Sequence, residues 1–388
     1  MKSIIIICLG FLQCIRINAQ DNLYDFVKLG DYQVGYMDTL ILDKKYDYIN
    51  YDYKGQKPYF VQVWHPIIKN NKSDYLKVKN FFTFKQNPDL KTVQKQLTVE
   101  YKNLFIRDYL TENLKNGKEN NYGKYAYEDV LDLIGELETR SIPDSTIGDI
   151  NFPVIVYHNG SQGHPFENFA MAEYFASRGF VFVTASFELQ FQNCSFGMLP
   201  FERFHNGEYE ESLRTITDFA NSLSNSSSIF FIGHSLGAQM GLRAFGQDTI
   251  IKGMVSLETT IEFKTDYEVV KDRWPEVYQK VITEKVNYPF PILFCAATGE
   301  KKPFNFLENV KAPQITYAST KTEFEHNAYL SIFYLRYFLD NKIQQPDKEI
   351  LENRLPLYIK HLDVMYDFIV GIVNNDKKAN IETVFIEE

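Results

Sequence analysis

The strongest chemical signal in the sequence is a serine that lies between two glycines. It occurs in the pattern Gly233-x-Ser235-x-Gly237, which follows an apolar run at residues 229–232 and precedes a helical pattern. A nucleophilic serine has to project from a sharp turn, and flanking glycines leave room for such a turn. The helix after the turn directs free N–H groups toward the reacting centre. The motif therefore predicts that Ser235 is a nucleophile.

A serine hydroxyl is a weak nucleophile and needs a general base, which is most often histidine. The chain contains seven histidines. The motif resembles the nucleophile turn of α/β-hydrolases, and in that superfamily the acid and the histidine follow the serine along the chain. Only His326 and His361 follow Ser235 along the chain. His326 follows the last predicted strand, whereas His361 lies in an amphipathic helical pattern and is expected to pack, so the sequence favours His326 as the base.

A carboxylate has to hold that histidine in the correct tautomer. Glu258 directly follows the predicted strand at residues 253–257, and Glu300 follows the predicted strand at residues 292–296. Either side chain could reach His326 from the same edge of a sheet. On this argument both glutamates stay open as the acid.

An oxyanion hole needs two N–H donors. The N–H of Leu236, directly after the serine, is the first candidate. The second candidate is the N–H of Ser161, in a turn that follows the predicted strand at residues 153–157 and contains two glycines. Glycines permit the close backbone approach that an oxyanion needs. The alternative interpretation of this turn is an ordinary connection between a strand and a helix.

The elements that position these residues alternate along the chain from residue 152 onward. The predicted strands are continuous apolar runs, which are typical of parallel strands buried on both faces; they cover residues 153–157, 180–185, 229–232, 253–257, 292–296 and 315–318. Helical patterns cover residues 168–177, 209–223, 236–245, 266–286 and a last stretch around 362–373. This alternation predicts an α/β fold with a mostly parallel, doubly wound sheet.

Two regions of different character precede that part of the chain. Residues 30–66 contain β-like runs around a turn near residues 52–55, which predicts an antiparallel N-terminal hairpin or meander. Residues 76–140 show helical spacing, interrupted by a polar stretch at residues 115–121, which predicts a helical insertion. The insertion is either a partial cap over the site or a packing element. Packing is slightly favoured, because nothing in it is unusually apolar for a lid.

The N-terminus has the order of a secretory signal peptide. Lys2 precedes an apolar run at residues 4–12, and Ala19 offers a small residue for cleavage. The run is about half as long as a membrane span requires. A buried N-terminal helix or a short anchor is the alternative. We therefore expect a signal peptide at residues 1–20, a single domain at residues 21–388, and a secreted or periplasmic protein without a stable membrane span.

The composition limits the classes of partner. The chain has 388 residues and a formal net charge of −9, and it contains no basic tract. A nucleic-acid partner is therefore not expected. No close His or Cys pair has ligand spacing, so neither a metal nor another cofactor is expected. Once a signal peptide is removed, Cys194 and Cys295 remain; they could pair in an oxidising compartment, although Cys295 lies in an apolar run typical of a core residue.

Three segments of the chain carry a family resemblance, which covers roughly residues 59–373. They are the early strand that ends in Trp64-His65-Pro66, the strand and turn at residues 152–161, and the helix-to-strand passage at residues 174–181. Together they resemble platelet-activating-factor acetylhydrolases and their bacterial relatives in the α/β-hydrolase superfamily, near the dienelactone hydrolases. The resemblance implies an α/β-hydrolase fold and ester hydrolysis. In the turn, Asn159 stands where the family usually has histidine.

The resemblance also bears on the choice of acid. In that family the acid follows the strand after the nucleophile, in a Leu-Asp pair, and Leu257-Glu258 matches with glutamate in place of aspartate. The resemblance therefore implies Glu258, with Glu300 as the alternative acid. True dienelactone hydrolases use cysteine where this chain has Ser235, so the resemblance does not extend to their chemistry.

These observations together predict a secreted serine esterase that works through an acyl-enzyme. The expected substrate is a small-molecule, lipid or polysaccharide ester with a short acyl group. Two alternatives remain: a catalytically inactive α/β-hydrolase-fold binding protein, and a serine peptidase of the same fold. A complete set of Ser235, His326 and Glu258 argues against the first. The lack of room for a large accessory domain argues against the second.

Overall fold

The computed structural model describes most of the chain. The described residues are 22–68, 73–111, 121–144, 147, 151–204, 206–246, 249–296, 304–320, 324–339, 343–375 and 381–386. The expected signal peptide, most of the polar stretch in the insertion and Glu300 lie outside these ranges. Within them, no helix has the length and apolar character that crossing a membrane requires.

The described strands form one sheet. They are β1 (Gln33–Asn50), β2 (Tyr53–Ile67), β3 (Ser141–Pro143), β4 (Val154–His158), β5 (Val181–Ala185), β6 (Ile229–His234), β7 (Ile251–Leu257), β8 (Ile292–Ala296), β9 (Ile315–Thr320) and β10 (Ile381–Ile386). Their spatial order is β10-β9-β8-β7-β6-β4-β5-β2-β1-β3. The strands from β10 to β5 in this order are parallel, and β2 joins β5 in antiparallel orientation. The predicted α/β class and mostly parallel sheet are confirmed.

All six strands predicted in the second part of the chain are present as β4 to β9. Every residue of β4, β5, β6 and β8 is buried. This burial on both faces explains why these strands appear in the sequence as continuous apolar runs. The short β3 and the C-terminal β10 had no such run and were not predicted.

The N-terminal hairpin is longer and more regular than the sequence indicated. Strand β1 is a single strand of 18 residues, paired with β2 along its length except for a register shift between Asp43 and Asp47. The chain reverses at Tyr51 and Asp52, which both have positive φ angles. The predicted antiparallel hairpin is therefore present, with its turn at the start of the expected position.

Helices cover the sheet and connect its strands. They are α1 (Leu23–Phe26), α2 (Lys91–Phe105), α3 (Tyr127–Gly135), α4 (Phe169–Ala176), α5 (Phe201–Phe204), α6 (Glu208–Ser222), α7 (Leu236–Ala244), α8 (Tyr267–Arg273), α9 (Pro275–Tyr278) and α10 (Lys348–Val373). The prediction of one helix over residues 266–286 is wrong. Trp274 leaves the helical conformation before Pro275 begins α9, as expected for a residue that precedes proline.

The helical insertion lies between β2 and β3 and includes α2 and α3. Its aromatic side chains pack onto the segment that follows β4: the ring centroids of Phe82 and Phe166 are 4.5 Å apart, and those of Tyr101 and His164 are 5.3 Å apart. Helix α2 continues into a π-helical turn, Ile106–Leu110. The predicted insertion is thus helical, and one side of it rests against the chain that leaves β4.

Candidate functional site

Three of the predicted site segments begin side by side at one edge of the sheet. In the strand register, His158 at the end of β4 pairs with Gly233 in β6, and His234 at the end of β6 pairs with Leu257 in β7. The segments that follow these strands therefore leave the sheet next to one another. In open parallel sheets, this carboxyl edge is where ligands bind.

Ser235 lies on a strained turn between β6 and α7. Its φ is 52° and its ψ is −116°, a conformation that L-residues rarely adopt. The glycines on either side are required by space. A Cβ at Gly233 would lie 2.4 Å from the backbone nitrogen of Ala238, and one at Gly237 would lie 2.2 Å from the carbonyl oxygen of His158. The serine is half-buried, so its side chain remains open to solvent.

Glu258 and His326 are in direct contact. Nδ1 of His326 lies against Oε2 of the Glu258 carboxylate. The glutamate is buried, and its own position is fixed because its N–H donates to the carbonyl of Cys295 at 2.9 Å and its Oε1 accepts from the N–H of Thr260 at 2.9 Å. An ionised carboxylate can only accept, so Nδ1 carries the proton and Nε2 is left with its lone pair. This is the tautomer that a general base needs.

The surroundings of His326 disfavour its charged form. Burial, and after it the neighbouring imidazole of His234, lowers the pKa of His326 below the ordinary value for histidine. The ring centroids of the two histidines are 4.6 Å apart, and Nε2 of His234 lies 3.1 Å from the carbonyl oxygen of His326. The Glu258 carboxylate acts in the opposite direction, because an adjacent negative charge favours the imidazolium.

The turn after β4 has a defined shape beside the serine. The N–H of Gly163 donates to the carbonyl of Gly160 at 3.0 Å, and Gln162 has a φ of 57°. A positive φ at the third position of such a turn is typical of type II, with Ser161 at the second position. A Cβ at Gly160 would lie 3.3 Å from the Cβ of Ser235. The turn therefore runs directly past the candidate nucleophile.

Two buried carboxyl groups accept hydrogen bonds from backbone N–H groups of this turn. Glu167 accepts from the N–H of Gly160 at 3.2 Å and from that of His164 at 3.3 Å. Glu188 accepts from the N–H of Gln162. Burial raises the pKa of Glu188 well above its ordinary value, and the nearby Glu167 raises it further. The backbone of the turn is thus tied down on both sides of Ser161.

The two predicted oxyanion donors are the N–H groups that remain open. Ser161 is exposed, and its N–H has no acceptor among the described residues. Leu236 is half-buried and opens α7. An N–H in the first turn of a helix has no acceptor within that helix. Two free donors, one on each side of Ser235, can bind a negative oxygen.

His361, the alternative base, lies away from this arrangement in α10. It is buried; its ring stacks on Phe324 with centroids 4.6 Å apart, and its Nδ1 lies 2.7 Å from the carbonyl oxygen of Leu357. The expectation that it packs is confirmed. The expectation that Cys295 is a core residue is confirmed as well, because it is buried, and both it and Cys194 are free thiols.

Glu167 and Glu188 were not predicted as site residues from the sequence. A signal was present, because each is the first acidic residue after one of the central strands, β4 or β5. A charged residue is rarely buried without partners. Its position near the carboxyl edge could therefore have indicated a role at the site.

The insertion borders the site and does not form a separate unit. Nε2 of His164 lies 2.9 Å from the carbonyl oxygen of Tyr101 in α2, and Arg107 donates to Oε1 of Gln162 at 3.1 Å. A hollow of about 880 Å³ lies within the insertion and includes none of the predicted site residues in its lining. No group of three or more His, Cys, Asp or Glu side chains that could hold a metal ion occurs in the described ranges.

Comparison with known proteins yields matches in three-dimensional structure only. No family model matches the chain, and no curated protein does. A ferulic acid esterase from Streptomyces cinnamoneus superposes with a TM-score of 0.53 at 14% identity, over 88% of this chain and 92% of that one. A 2,6-dihydroxy-pseudo-oxynicotine hydrolase superposes with a TM-score of 0.40 at 14% identity, over 61% and 65% of the two chains.

The match to the esterase extends over nearly the whole of both chains. At this low sequence identity, the match shows a shared arrangement of helices and strands, because one fold hosts many functions. That arrangement is the same mostly parallel sheet with an antiparallel hairpin and flanking helices. The chain has the α/β-hydrolase fold.

Proposed function

We propose that the protein hydrolyses carboxylic esters, with Ser235 as nucleophile, His326 as general base and Glu258 as the acid that orients the base. The observation that carries the proposal is the contact between the Glu258 carboxylate and Nδ1 of His326, at the sheet edge where Ser235 lies on its strained turn. A serine, a histidine and a carboxylate in these roles make up the apparatus for acyl transfer.

The reaction begins when Nε2 of His326 accepts the proton of the Ser235 hydroxyl. The serine oxygen attacks the ester carbonyl, and the resulting oxyanion is bound by the N–H groups of Leu236 and Ser161. The imidazolium then protonates the leaving alcohol, which leaves an acyl group on the serine. A water molecule, deprotonated by the same imidazole, attacks this acyl-enzyme. The imidazolium then returns the proton to the departing oxygen of Ser235, which releases the acid and restores the free serine.

The fixed donors account for much of the expected rate. Because Glu167 and Glu188 hold the turn on both sides of Ser161, the donor at Ser161 needs little reorganisation when charge develops on the substrate. The strained conformation of Ser235 serves the same purpose, since it holds the hydroxyl above the start of α7.

The nature of the substrate and the place of action are further parts of the proposal. We propose a secreted or periplasmic enzyme that acts on small-molecule, lipid or polysaccharide esters with short acyl groups. The order of residues 1–20, which is typical of a signal peptide, supports export. The exposure of Ser161 and the half-burial of Ser235 support a site that is open to substrates of different size.

The test is hydrolysis of a p-nitrophenyl ester series, from acetate to long-chain acyl groups, by the protein comprising residues 21–388. We expect activity on short esters, its loss in Ser235→Ala, and covalent labelling of Ser235 by a fluorophosphonate. Ser222→Ala, which alters an exposed serine in α6, is the matched control and should retain full activity.

Each alternative has its own outcome in this test. A folded protein with no ester activity and no label on Ser235 would contradict the proposal and favour a binding function. Cleavage of a peptide amide at a rate that matches or exceeds ester cleavage would favour the peptidase alternative. Activity that survives in Ser235→Ala would exclude this serine as the nucleophile.

A further inference from the structure

Glu167 is the centre of a buried polar cluster, of which the proposed mechanism uses only the hydrogen bonds to the turn after β4. Its carboxylate is 1% exposed. Oε1 accepts from the hydroxyl of Tyr157 at 2.6 Å and from the N–H of Gly160 at 3.2 Å, and Oε2 accepts from the N–H of His164 at 3.3 Å. A buried carboxylate is costly unless it is neutralised or fully hydrogen-bonded. Its surroundings should therefore provide a positive charge.

His234 is the histidine whose ring nitrogen faces this carboxylate. The other titratable groups that interact electrostatically with Glu167 are Tyr101, Tyr109, Tyr157, His158, His164 and Glu188. Burial lowers the pKa of both His158 and His164. Nδ1 of His234 lies 3.6 Å from Oε1 of Glu167, and the side chain of His234 is 3% exposed. On the other side of the ring, Nε2 lies 3.1 Å from the carbonyl oxygen of His326. A carbonyl oxygen can only accept, so Nε2 carries a proton.

The protonation state of Nδ1 of His234 then follows from the negative charge of the Glu167 carboxylate that it faces. If His234 were neutral, Nδ1 would direct a lone pair toward the Glu167 carboxylate in a buried site. If His234 is protonated, the same nitrogen carries a hydrogen and a share of positive charge, and the contact becomes attractive. The geometry therefore favours an imidazolium at His234, paired with Glu167.

We propose that Glu167 and His234 form a positioning pair with two roles. The pair joins the turn after β4, residues 160–163, to the backbone of His326, and it keeps a positive charge beside the base. One end of the pair holds the turn through the N–H of Gly160, and the other end holds the carbonyl of His326. Neither side chain has to touch the substrate. The pair acts through the geometry of the turn and through the protonation of His326.

The effect of the pair on the protonation of His326 follows from the distance between the imidazoles of His234 and His326. Their ring centroids are 4.6 Å apart, so a charge on His234 opposes a second charge on His326. Among the described residues, the titratable groups that face His326 are Glu258, on Nδ1, and His234, on the other side. The lowered pKa of His326, which arises from burial and then from His234, agrees with this arrangement. The pair therefore extends the activity of the base to lower pH.

The experiment compares the wild-type chain with His234→Gln by NMR, following the ¹⁵N and ¹³C shifts of His326 as a function of pH. Glutamine can still donate to the carbonyl of His326, but it cannot carry a charge. We expect the ionisation of His326 to move upward by about one pH unit or more. His65→Gln, which removes another buried histidine in β2, is the matched control and should leave this ionisation unchanged.

Glu167→Gln is the second variant and does not depend on the stability of the first. It removes the negative charge but keeps an amide oxygen that can accept from Gly160. We expect the ¹⁵N shifts of His234, compared at one pH, to show more of the imidazolium in the wild type than in Glu167→Gln, because the variant lacks the facing negative charge. Unchanged shifts in this variant, or an ionisation of His326 in His234→Gln that equals the wild-type value, would overturn the proposal.

This inference rests on the proposed function only for its kinetic consequence, because the NMR measurement needs no substrate. If the enzyme is active, the acid limb of kcat/KM in His234→Gln should move upward by the same amount as the ionisation of His326. Loss of the esterase reaction in the assay of Ser235 would contradict the proposed function. A missing shift of His326 would contradict the positioning pair.

Discussion

The carboxylate of Glu258 reaches His326 across an intervening strand. Glu258 follows β7 and His326 follows β9, and β8 lies between them in the sheet. The contact is made from a glutamate with a φ of 33°, whose backbone N–H is bonded to Cys295 at the end of β8. The extra methylene of glutamate, compared with the aspartate of the family that the sequence resembles, provides part of this reach.

Removing the charge of Glu258 should therefore impair the base and leave the fold intact. We expect kcat/KM of Glu258→Gln to fall by about 10³- to 10⁴-fold, because the amide no longer holds His326 in the required tautomer. Glu258→Asp should lose less activity, since its shorter side chain keeps the charge but not the distance. The measurement is ester hydrolysis at a pH above the ionisation of His326.

Glu300→Gln is the matched control for this prediction, because Glu300 is the other candidate acid and lies outside the described residues. It should keep activity within about threefold of the wild type, because Glu258 already orients His326. A large loss in Glu300→Gln together with an active Glu258→Gln would reverse the assignment.

The donor at Ser161 can be removed without disturbing its turn. Ser161 occupies the second position of a turn whose third residue, Gln162, has a positive φ, and proline is well suited to that second position. Ser161→Pro should therefore keep the turn but lose the N–H, and we expect kcat to fall by about 100- to 1000-fold. Ser161→Ala keeps the N–H and should remain close to the wild type. If both variants were equally active, the second donor would have to be another group.

The pH dependence of kcat/KM should report the ionisation of His326. The neutral imidazole is the active form, so activity is absent at low pH and rises through one ionisation as the pH increases. Because burial and His234 lower the pKa of His326, we expect the midpoint to lie below the ordinary histidine value of about 6.5. A profile measured in buffers of constant ionic strength should therefore be flat above about pH 7. A midpoint above the ordinary value would contradict this assignment.

Several features were predictable from the sequence because they depend on local patterns. Strands β4 to β9 are buried on both faces and so appear as apolar runs, and the turn at Ser235 requires glycine at Gly233 and Gly237 for reasons of space. The resemblance to a known family pointed to Glu258. The contact with His326 depends on the packing of strands distant in sequence, and no local pattern contains it.

Other features could not be derived in the same way. The roles of Glu167 and Glu188 depend on the N–H groups that they meet after folding, and an isolated glutamate in a sequence is more often a solvated residue. The break between α8 and α9 was missed because the apolar spacing continues across Pro275. The path of the insertion follows from aromatic contacts with the segment after β4, which helical spacing alone does not specify.

Glu173 is a fully buried carboxyl group in α4 that joins α4 by hydrogen bonds to the N-terminal region and to the segment around β3. It accepts from the hydroxyls of Tyr24 and Ser141 and from the N–H of Arg140 at 2.9 Å. Burial raises the pKa of Glu173 to about 7, although these hydrogen bonds act to lower it. The folded chain therefore binds a proton at Glu173 more tightly than the unfolded chain does.

The sign of the effect on stability follows from this difference. The contribution of Glu173 is fully present below the ordinary glutamate pKa of about 4.3 and is lost as the pH rises toward 7. Over that window the free energy of unfolding should fall by about 3 kcal/mol relative to Glu173→Gln, which cannot ionise. Urea unfolding of both proteins at several pH values measures the difference. Glu352→Gln, at an exposed position in α10, should follow the wild type. An equal pH dependence in wild type and Glu173→Gln would mean that this carboxyl group is ionised to the same extent in both states.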